Sequence, residues 1–323
     1  EEQRLWRQTV RDFAQKEIAP RVREIDTQER SPRQIIKGMA QLGLLAPVCS
    51  EEYGGAEMDW TLAAIAAEEL GRADISLAVP VLYLVEAAWG FILDQYGTPE
   101  VKAEVLPRVT AGEAFLGIAT TEPGGGSDIL GSCRTKAVQQ GDAWLLNGEK
   151  MYISGVRESL EMGGVHLLLA RTDPDPAAAH RAFTFFALPL KGTRGITPTY
   201  FEDMGRMGIS TGGFALEDVS LPAAQKVGDV NRGFYHAMEG FSAARVLIGA
   251  TCVGAAEAVL EMGVDHVKER QAFGRPLAAF EGISFPLADH YTSLESTRLL
   301  VYKAAWTMDQ KYGPGTQTHY DLS

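Results

Sequence analysis

Three short stretches carry residue types that can hold a ligand. In "TTEPGGGSD" (Thr120–Asp128) two threonines and an acid lead into proline, three glycines, serine and aspartate. Successive glycines let backbone N–H groups converge into an anion nest. Ser127 adds a hydroxyl, and threonines at a strand edge can donate to a flat heterocycle. Such a loop suits a pyrophosphate with an isoalloxazine edge, although "GGGSD" taken alone reads more simply as a polar turn. In "LNGEKMYISG" a strand ends with Tyr152 and Ser154, two residues apart and so on one side. The aromatic can cover a flavin face while the hydroxyl reaches a ring nitrogen; the plain alternative is an exposed strand end. In "ERQAFGRP", Arg270 and Phe273 lie three apart at the end of a long helix and so share a side. Arg270 can pair with a phosphate and Phe273 can pack on a ring. A helix-terminal cation facing the macrodipole is the plain reading there.

The elements that must position these residues follow a helical, β, helical order. Residues 1–112 read as a helical domain. Trp6, Val10, Phe13, Ala14 and Ile18 fall on one helical face, closed by Pro20. Ser31, Pro32 and Gln34 form a capping box, with Gly43 as the stop. Asp59 and Thr98 cap two further helices. Residues 113–226 read as a β domain, a small barrel or sandwich, with "QQGD" and "LNGE" as hairpin turns. From 227 to 323 two long helical patterns rich in Gly and Ala suggest a bundle, incomplete within the given chain.

Composition narrows the function. The 323 residues carry a formal net charge of −12, which argues against nucleic-acid binding. Cys49, Cys133 and Cys252 are far apart and lack any CxxC, so a disulfide framework or zinc site is not expected. They read as small core residues. The six histidines show no HxxxH or HExxH, and no metal site is expected. No signal peptide and no apolar run near membrane-spanning length stands out, so no membrane partner is expected. A cytoplasmic location fits, or the mitochondrial matrix for a eukaryotic chain. Both ends look cut.

In order and spacing these stretches resemble the acyl-CoA dehydrogenase family. So do "EEYGGAEMDW", "EELGRADIS", "STGGFALEDVSLP", "NRGF" and "ERQAFGRPLAAFEGISFPLAD". The resemblance covers essentially the whole chain. It implies an α+β multidomain fold: a helical N-terminal domain, a middle β-barrel or sandwich domain and a C-terminal four-helix bundle. It implies a homotetrameric flavoprotein of fatty acid metabolism that holds FAD between the β domain and the bundle, partly from a neighbouring subunit. It further implies the following site: Thr121 would hydrogen-bond the flavin, with Ile118 and Thr120 beside it. Gly126 and Ser127 reach the phosphates or the CoA arm. Tyr152 stands where the family usually has tryptophan over the flavin, and Ser154 where a threonine often donates to N5. Arg270 and Phe273 touch FAD across a subunit contact. Phe241, Ser242 and Arg245 line the thioester and pantetheine channel.

Departures from the family pattern are visible. Glu281 and Ser284 replace glutamines that help hold the partner subunit's FAD. Met207 replaces a common arginine near "STGG", and Ser242 a frequent aspartate. At the alternative base position stands Ala244, which cannot take a proton, and Glu239 reads as solvated or structural. The base glutamate is therefore expected beyond Ser323. The implied reaction is α,β-dehydrogenation of an acyl-CoA, with electrons passed to an electron-transferring flavoprotein. An oxidase using oxygen, or a non-catalytic flavin or acyl-CoA binding homologue, are the rivals. Phe241 with the small Ala243 and Ala244 leaves room for a branched, cyclic or aromatic-derived acyl group.

Overall fold

The structure, a computed structural model, describes residues 1–28, 31 and 33–313. Helices α1 (Glu2–Phe13), α2 (Val22–Gln28), α3 (Arg33–Gln41), α4 (Trp60–Ala73), α5 (Ala78–Tyr96) and α6 (Pro99–Thr110) come first. The β-rich stretch holds β1 (Phe115–Ala119), α7 (Ile129–Ser132), β2 (Lys136–Gln140), β3 (Ala143–Ser154) and α8 (Val156–Met162). It continues through β4 (Gly164–Arg171), β5 (Phe183–Pro189), β6 (Ile196–Phe201), β7 (Thr211–Pro222) and β8 (Lys226–Val227). Helix α9 (Gly233–Glu269), the strands β9 (Gln271–Ala272) and β10 (Arg275–Pro276), and helix α10 (Glu281–Tyr312) follow. This is the expected helical, β, helical order. Asp59 accepts from the Leu62 N–H at 2.6 Å and Thr98 from the Val101 N–H at 3.3 Å, so both read caps form. The capping box includes Pro32, outside the described residues. Pro20 does not close the first helix. The chain passes it as a 3-10 turn over Ala19–Arg21 and α2 resumes at Val22, because proline is tolerated where its missing N–H has no partner to lose.

The chain forms two compact units, one of residues 1–24, 58–80 and 245 onward, the other of 25–57 and 81–244. In the first, α1, α4 and α10 pack together. The "EEL" of α4 puts Glu68 and Glu69 inside. Arg7 meets them at 3.1 and 2.5 Å, Arg11 meets Glu69 at 2.8 Å, and Arg298 meets Glu68 at 2.9 Å. Buried acids survive there because each is paired. Asp309 of α10 accepts the Trp60 and Thr61 N–H groups at 2.5 and 3.2 Å, a second cap on α4.

In the second unit one eight-stranded sheet runs β6-β7-β3-β2-β4-β5-β8, with β1 parallel to β4. Trp144, Leu146, Phe186, Leu188, Phe214 and Leu221 fill its core. "QQGD" is the β2–β3 hairpin turn, as read. "LNGE" is not a turn. It lies within β3 as a bulge, with the register to β7 shifting between Leu146 and Gly148. Gly148 takes φ +151°, and a Cβ there would stand 2.5 Å from Thr135 Oγ1. Asn147 and Asp218 bridge the bulge, side chain to side chain at 3.0 Å and Asp218 N–H to Asn147 Oδ1 at 2.9 Å. Two helices are in fact long and apolar enough to cross a membrane by length and composition, α5 and α9, contrary to the sequence reading. The α5 window is 89% buried within the protein, as a core helix is.

Two buried histidines set an acid limit on stability. His166 is fully buried, with Nε2 3.1 Å from the Ser154 carbonyl and Nδ1 unpartnered. Burial pushes it down to about 4. Burial does the same to His236, also to about 4, with Glu239 pulling the other way. Between the ordinary histidine pKa and 4 the unfolded chain binds protons that the folded chain refuses. Stability therefore rises with pH across that window and is lost as pH falls through it. His166 accounts for on the order of 3 kcal/mol. Denaturant midpoints measured across the window are expected to fall with pH, and less steeply in His166→Phe. An unchanged slope in that variant contradicts the assignment.

Candidate functional site

The site begins where β1 ends. Thr120 is buried, Thr121 and Ile118 are half-buried, and the Thr121 carbonyl accepts the Met151 N–H of β3 at 3.0 Å. "TTEP" and "GEKMYIS" are thus adjacent in space. What joins them is a buried ion pair. Glu122 accepts from Lys150 Nζ at 2.7 Å, from the Arg134 and Thr135 N–H groups at 2.5 and 3.0 Å, and from Cys133 Sγ at 3.2 Å. Burial pushes the Glu122 carboxyl up. The Lys150 ammonium and the hydrogen bonds outweigh this, and the net direction is down. Burial likewise raises the Cys133 thiol, to about 11, so it is a weak nucleophile. Glu122 and Gly125 also close the loop on each other through backbone bonds of 3.3 and 3.0 Å. A Cβ on Gly126 would stand 3.1 Å from Thr121 Cγ2, so the glycine lies against that side chain. Ser127 is exposed, and Asp128 caps the short α7.

The second part of the site is the end of β3. Simple alternation does not set the direction of Tyr152, because the β3–β7 register shifts between Met151 and Ile153. Tyr152 is the bulged residue, at φ +60°, and its ring is 66% exposed beside Phe201 at 5.4 Å. Bulges of this kind re-aim a side chain out of the pleat. Ser154 lies opposite Thr211 of β7. Arg206 donates to Ser154 Oγ at 2.9 Å and to Thr211 Oγ1 at 2.6 Å. A flat aromatic, two hydroxyls and a cation therefore gather at one strand end. That set fits the edge and face of a heterocycle with acceptor nitrogens and carbonyls.

The remaining expected residues are distributed as follows. Phe241 packs edge-on against Trp89 at 5.2 Å. Ser242 is exposed and donates back to the Met238 carbonyl at 2.8 Å. Glu239 accepts from the Tyr96 hydroxyl at 2.6 Å, in line with a structural role. Arg245, Arg270 and Phe273 belong to the other compact unit. Arg270 and Phe273 do not share a helix face. Helix α9 ends at Glu269, and the β9–β10 hairpin begins at once, with Phe273 at its tip, φ +51° and 96% exposed. A glycine follows Phe273, and a Phe-Gly turn makes a hairpin where a helical spacing had been read. Among the described residues no group of three or more His, Cys, Asp or Glu could hold a metal ion.

Glu122, Lys150 and Arg206 were not anticipated as parts of the site. Lys150 had a signal. With Trp144 and Leu146 it falls on the inward side of β3, and a buried lysine demands a carboxylate. Which acid answers it was not legible.

Comparisons with known proteins agree with this fold. The family model described as "Acyl-CoA dehydrogenase, N-terminal domain" matches residues 1–113, that of the middle domain 117–219, and that of the C-terminal domain 231–320. The chain belongs to the acyl-CoA dehydrogenase family, oxidoreductases that act on CH–CH groups. Cyclohex-1-ene-1-carbonyl-CoA dehydrogenase of Syntrophus aciditrophicus (strain SB) is 36% identical over 313 residues, which is 96% of this chain and 73% of that protein. A solved structure of the electron transferring flavoprotein of Acidaminococcus fermentans superposes with TM-score 0.88 at 29% identity, over 96% of this chain and 80% of the other. A glutaryl-CoA dehydrogenase from Mycobacterium smegmatis in complex with FADH2 superposes with TM-score 0.86 at 26% identity, over 97% and 77%.

Proposed function

We propose that the protein catalyses FAD-dependent α,β-dehydrogenation of an acyl-CoA thioester to the enoyl-CoA. The observation that carries this reading is the strand-end cluster of Tyr152, Ser154, Arg206 and Thr211, knit to Thr121 through the Met151 N–H. FAD, when bound, accepts the hydride equivalent lost from the β-carbon. Tyr152 covers the ring face, Ser154 donates to its reacting nitrogen, and Thr121 holds its edge. Gly126 and Ser127 reach the phosphates or the CoA arm. Phe241 and Ser242 line the thioester channel. A carboxylate takes the α-proton while donors polarise the thioester carbonyl where enolate charge develops. Neither Ala244 nor Glu239, which is bonded to Tyr96, supplies it. An electron-transferring flavoprotein is the acceptor, as membership of the family implies. The protein is a homo-oligomer in which Arg270 and Phe273 reach the FAD of a neighbour, and the exposure of the Phe273 ring supports this. The acyl group is branched, cyclic or aromatic-derived. Ala243 is fully buried, but the small, half-buried Ala244 beside Phe241 is in keeping with this, and the Syntrophus relative acts on a cyclohexene-carbonyl thioester by its name.

The test is anaerobic bleaching of the FAD-loaded protein by a panel of CoA thioesters, with cyclic acyl groups expected to bleach fastest. Rapid re-oxidation in air with peroxide formed makes it an oxidase. Tight thioester binding with no bleaching makes it a non-catalytic homologue. Ser127→Ala is expected to weaken FAD retention or thioester affinity about tenfold, the worth of one charge-assisted hydrogen bond, with the sheet still folded. Unchanged flavin content and affinity count against the Ser127 assignment.

A further inference from the structure

The guanidinium of Arg206 is the group that the reaction above leaves without a task. It is half-buried, on a residue held at φ +58°, where a bulky side chain rarely sits. Its bonds go to two neutral hydroxyls, Ser154 Oγ at 2.9 Å and Thr211 Oγ1 at 2.6 Å. Among the described residues no carboxylate lies within ion-pair distance of it. The nearby Glu158 is occupied by the Ser210 N–H at 3.1 Å and the Ser210 hydroxyl at 2.5 Å. Burial pulls the guanidinium down and Asp203 and Glu158 offset this in part, but arginine stays charged.

A guanidinium can only donate. At both contacts the hydroxyl oxygen is therefore the acceptor, and its own hydrogen is left to point elsewhere. Bonds of this kind polarise one another, so each hydroxyl becomes a stronger outward donor. The family's common arginine is absent at Met207. Here the neighbouring residue supplies the guanidinium.

We propose that Arg206 is a positioning residue that fixes Ser154 and Thr211 as outward donors and sets a positive charge, in direct contact with no carboxylate, behind them, so that the site holds the reduced, electron-rich flavin more tightly than the oxidised one. This rests on the reading of Ser154 as a flavin contact.

The experiment is the midpoint potential of bound FAD in the wild type and in Arg206→Met, Arg206→Gln, Arg206→Lys and Ser154→Ala, with flavin content and thermal midpoint measured beside it. Arg206→Met is expected to lose at least tenfold of the preference for reduced flavin, a shift of about 30 mV to more negative potential for a two-electron couple. If that variant does not fold, Arg206→Gln, which keeps donors without charge, is expected to shift the same way. Arg206→Lys recovers part of the shift, since it restores charge but not the fork that spans both hydroxyls. Ser154→Ala also shifts negative, and combined with Arg206→Met the effects fall short of their sum. A wild type that takes up no FAD overturns the flavin reading and this inference with it. A flavin-loaded Arg206→Met or Arg206→Gln with the wild-type potential overturns this inference alone.

Discussion

Lys150→Met is expected to cost about 3–5 kcal/mol, enough to unfold the sheet or leave it barely stable. Lys150 is fully buried and Glu122 is 4% exposed. The ammonium also donates to the Thr120 carbonyl at 3.3 Å. Removing it leaves a carboxylate inside the protein with only two backbone N–H groups and a thiol for company. Methionine fills the volume, so the loss reports charge rather than a cavity. The pH dependence follows from the depressed Glu122 carboxyl. Its stabilising contribution is present above the ordinary glutamate value and is lost as pH falls through the lower, folded value. In Lys150→Met the ammonium's pull is gone, and burial, opposed only by the two backbone N–H groups, favours the neutral acid. The gap between variant and wild type should therefore be widest at neutral pH and narrow in acid. Adding Glu122→Gln to Lys150→Met should restore part of the loss, because it removes the stranded charge. Denaturant titrations followed by tryptophan fluorescence measure all of this. A single variant within 0.5 kcal/mol of the wild type would sink the assignment.

What the sequence made legible follows from which physics is local. Caps at Asp59 and Thr98, the β2–β3 turn and the helical, β, helical order depend on residues within a few positions of one another. The misread features depend on partners far away. "LNGE" has the composition of a hairpin turn, yet Thr135, just ahead of β2, and Asp218 of β7 hold it as a bulge. Arg270 and Phe273 had helical spacing, but the Phe273–Gly274 turn reverses the chain before the spacing can act. At the candidate site, Thr121, Tyr152 and Ser154 stand out through motif order. Arg206 was not, because its contacts at 154 and 211 belong to two strands that only the sheet register brings side by side. The Glu122–Lys150 pair was hidden for the same reason, 28 positions apart.

Gly254→Ala should be the most damaging conservative change in the first compact unit. A Cβ on Gly254 of α9 would lie 1.8 Å from the Glu68 carbonyl oxygen and 2.9 Å from the Arg72 nitrogen of α4. Gly71 of α4 meets α9 in return, its Cβ position 2.2 Å from the Thr251 carbonyl oxygen. Glycines on both helices thus let the two backbones touch. The atoms in the way are main chain, so no rotamer can move them aside. Nor can α4 back off freely, since the Glu68 carboxylate is tied to Arg7, Arg298 and Tyr302. Overpacking a core costs about 1–3 kcal/mol when side chains can yield. Here the cost should reach or exceed the top of that range, because separating the helices also pulls a buried charge from its partners. Gly263→Ala on the same helix is the control. Nothing lies within 4 Å of its Cβ position, and alanine there should be neutral or gain up to about 1 kcal/mol of helix propensity. Thermal midpoints of the two variants should therefore move in opposite directions, or one should fall while the other holds. Equal midpoints would mean that α4 and α9 do not cross in backbone contact at Gly254.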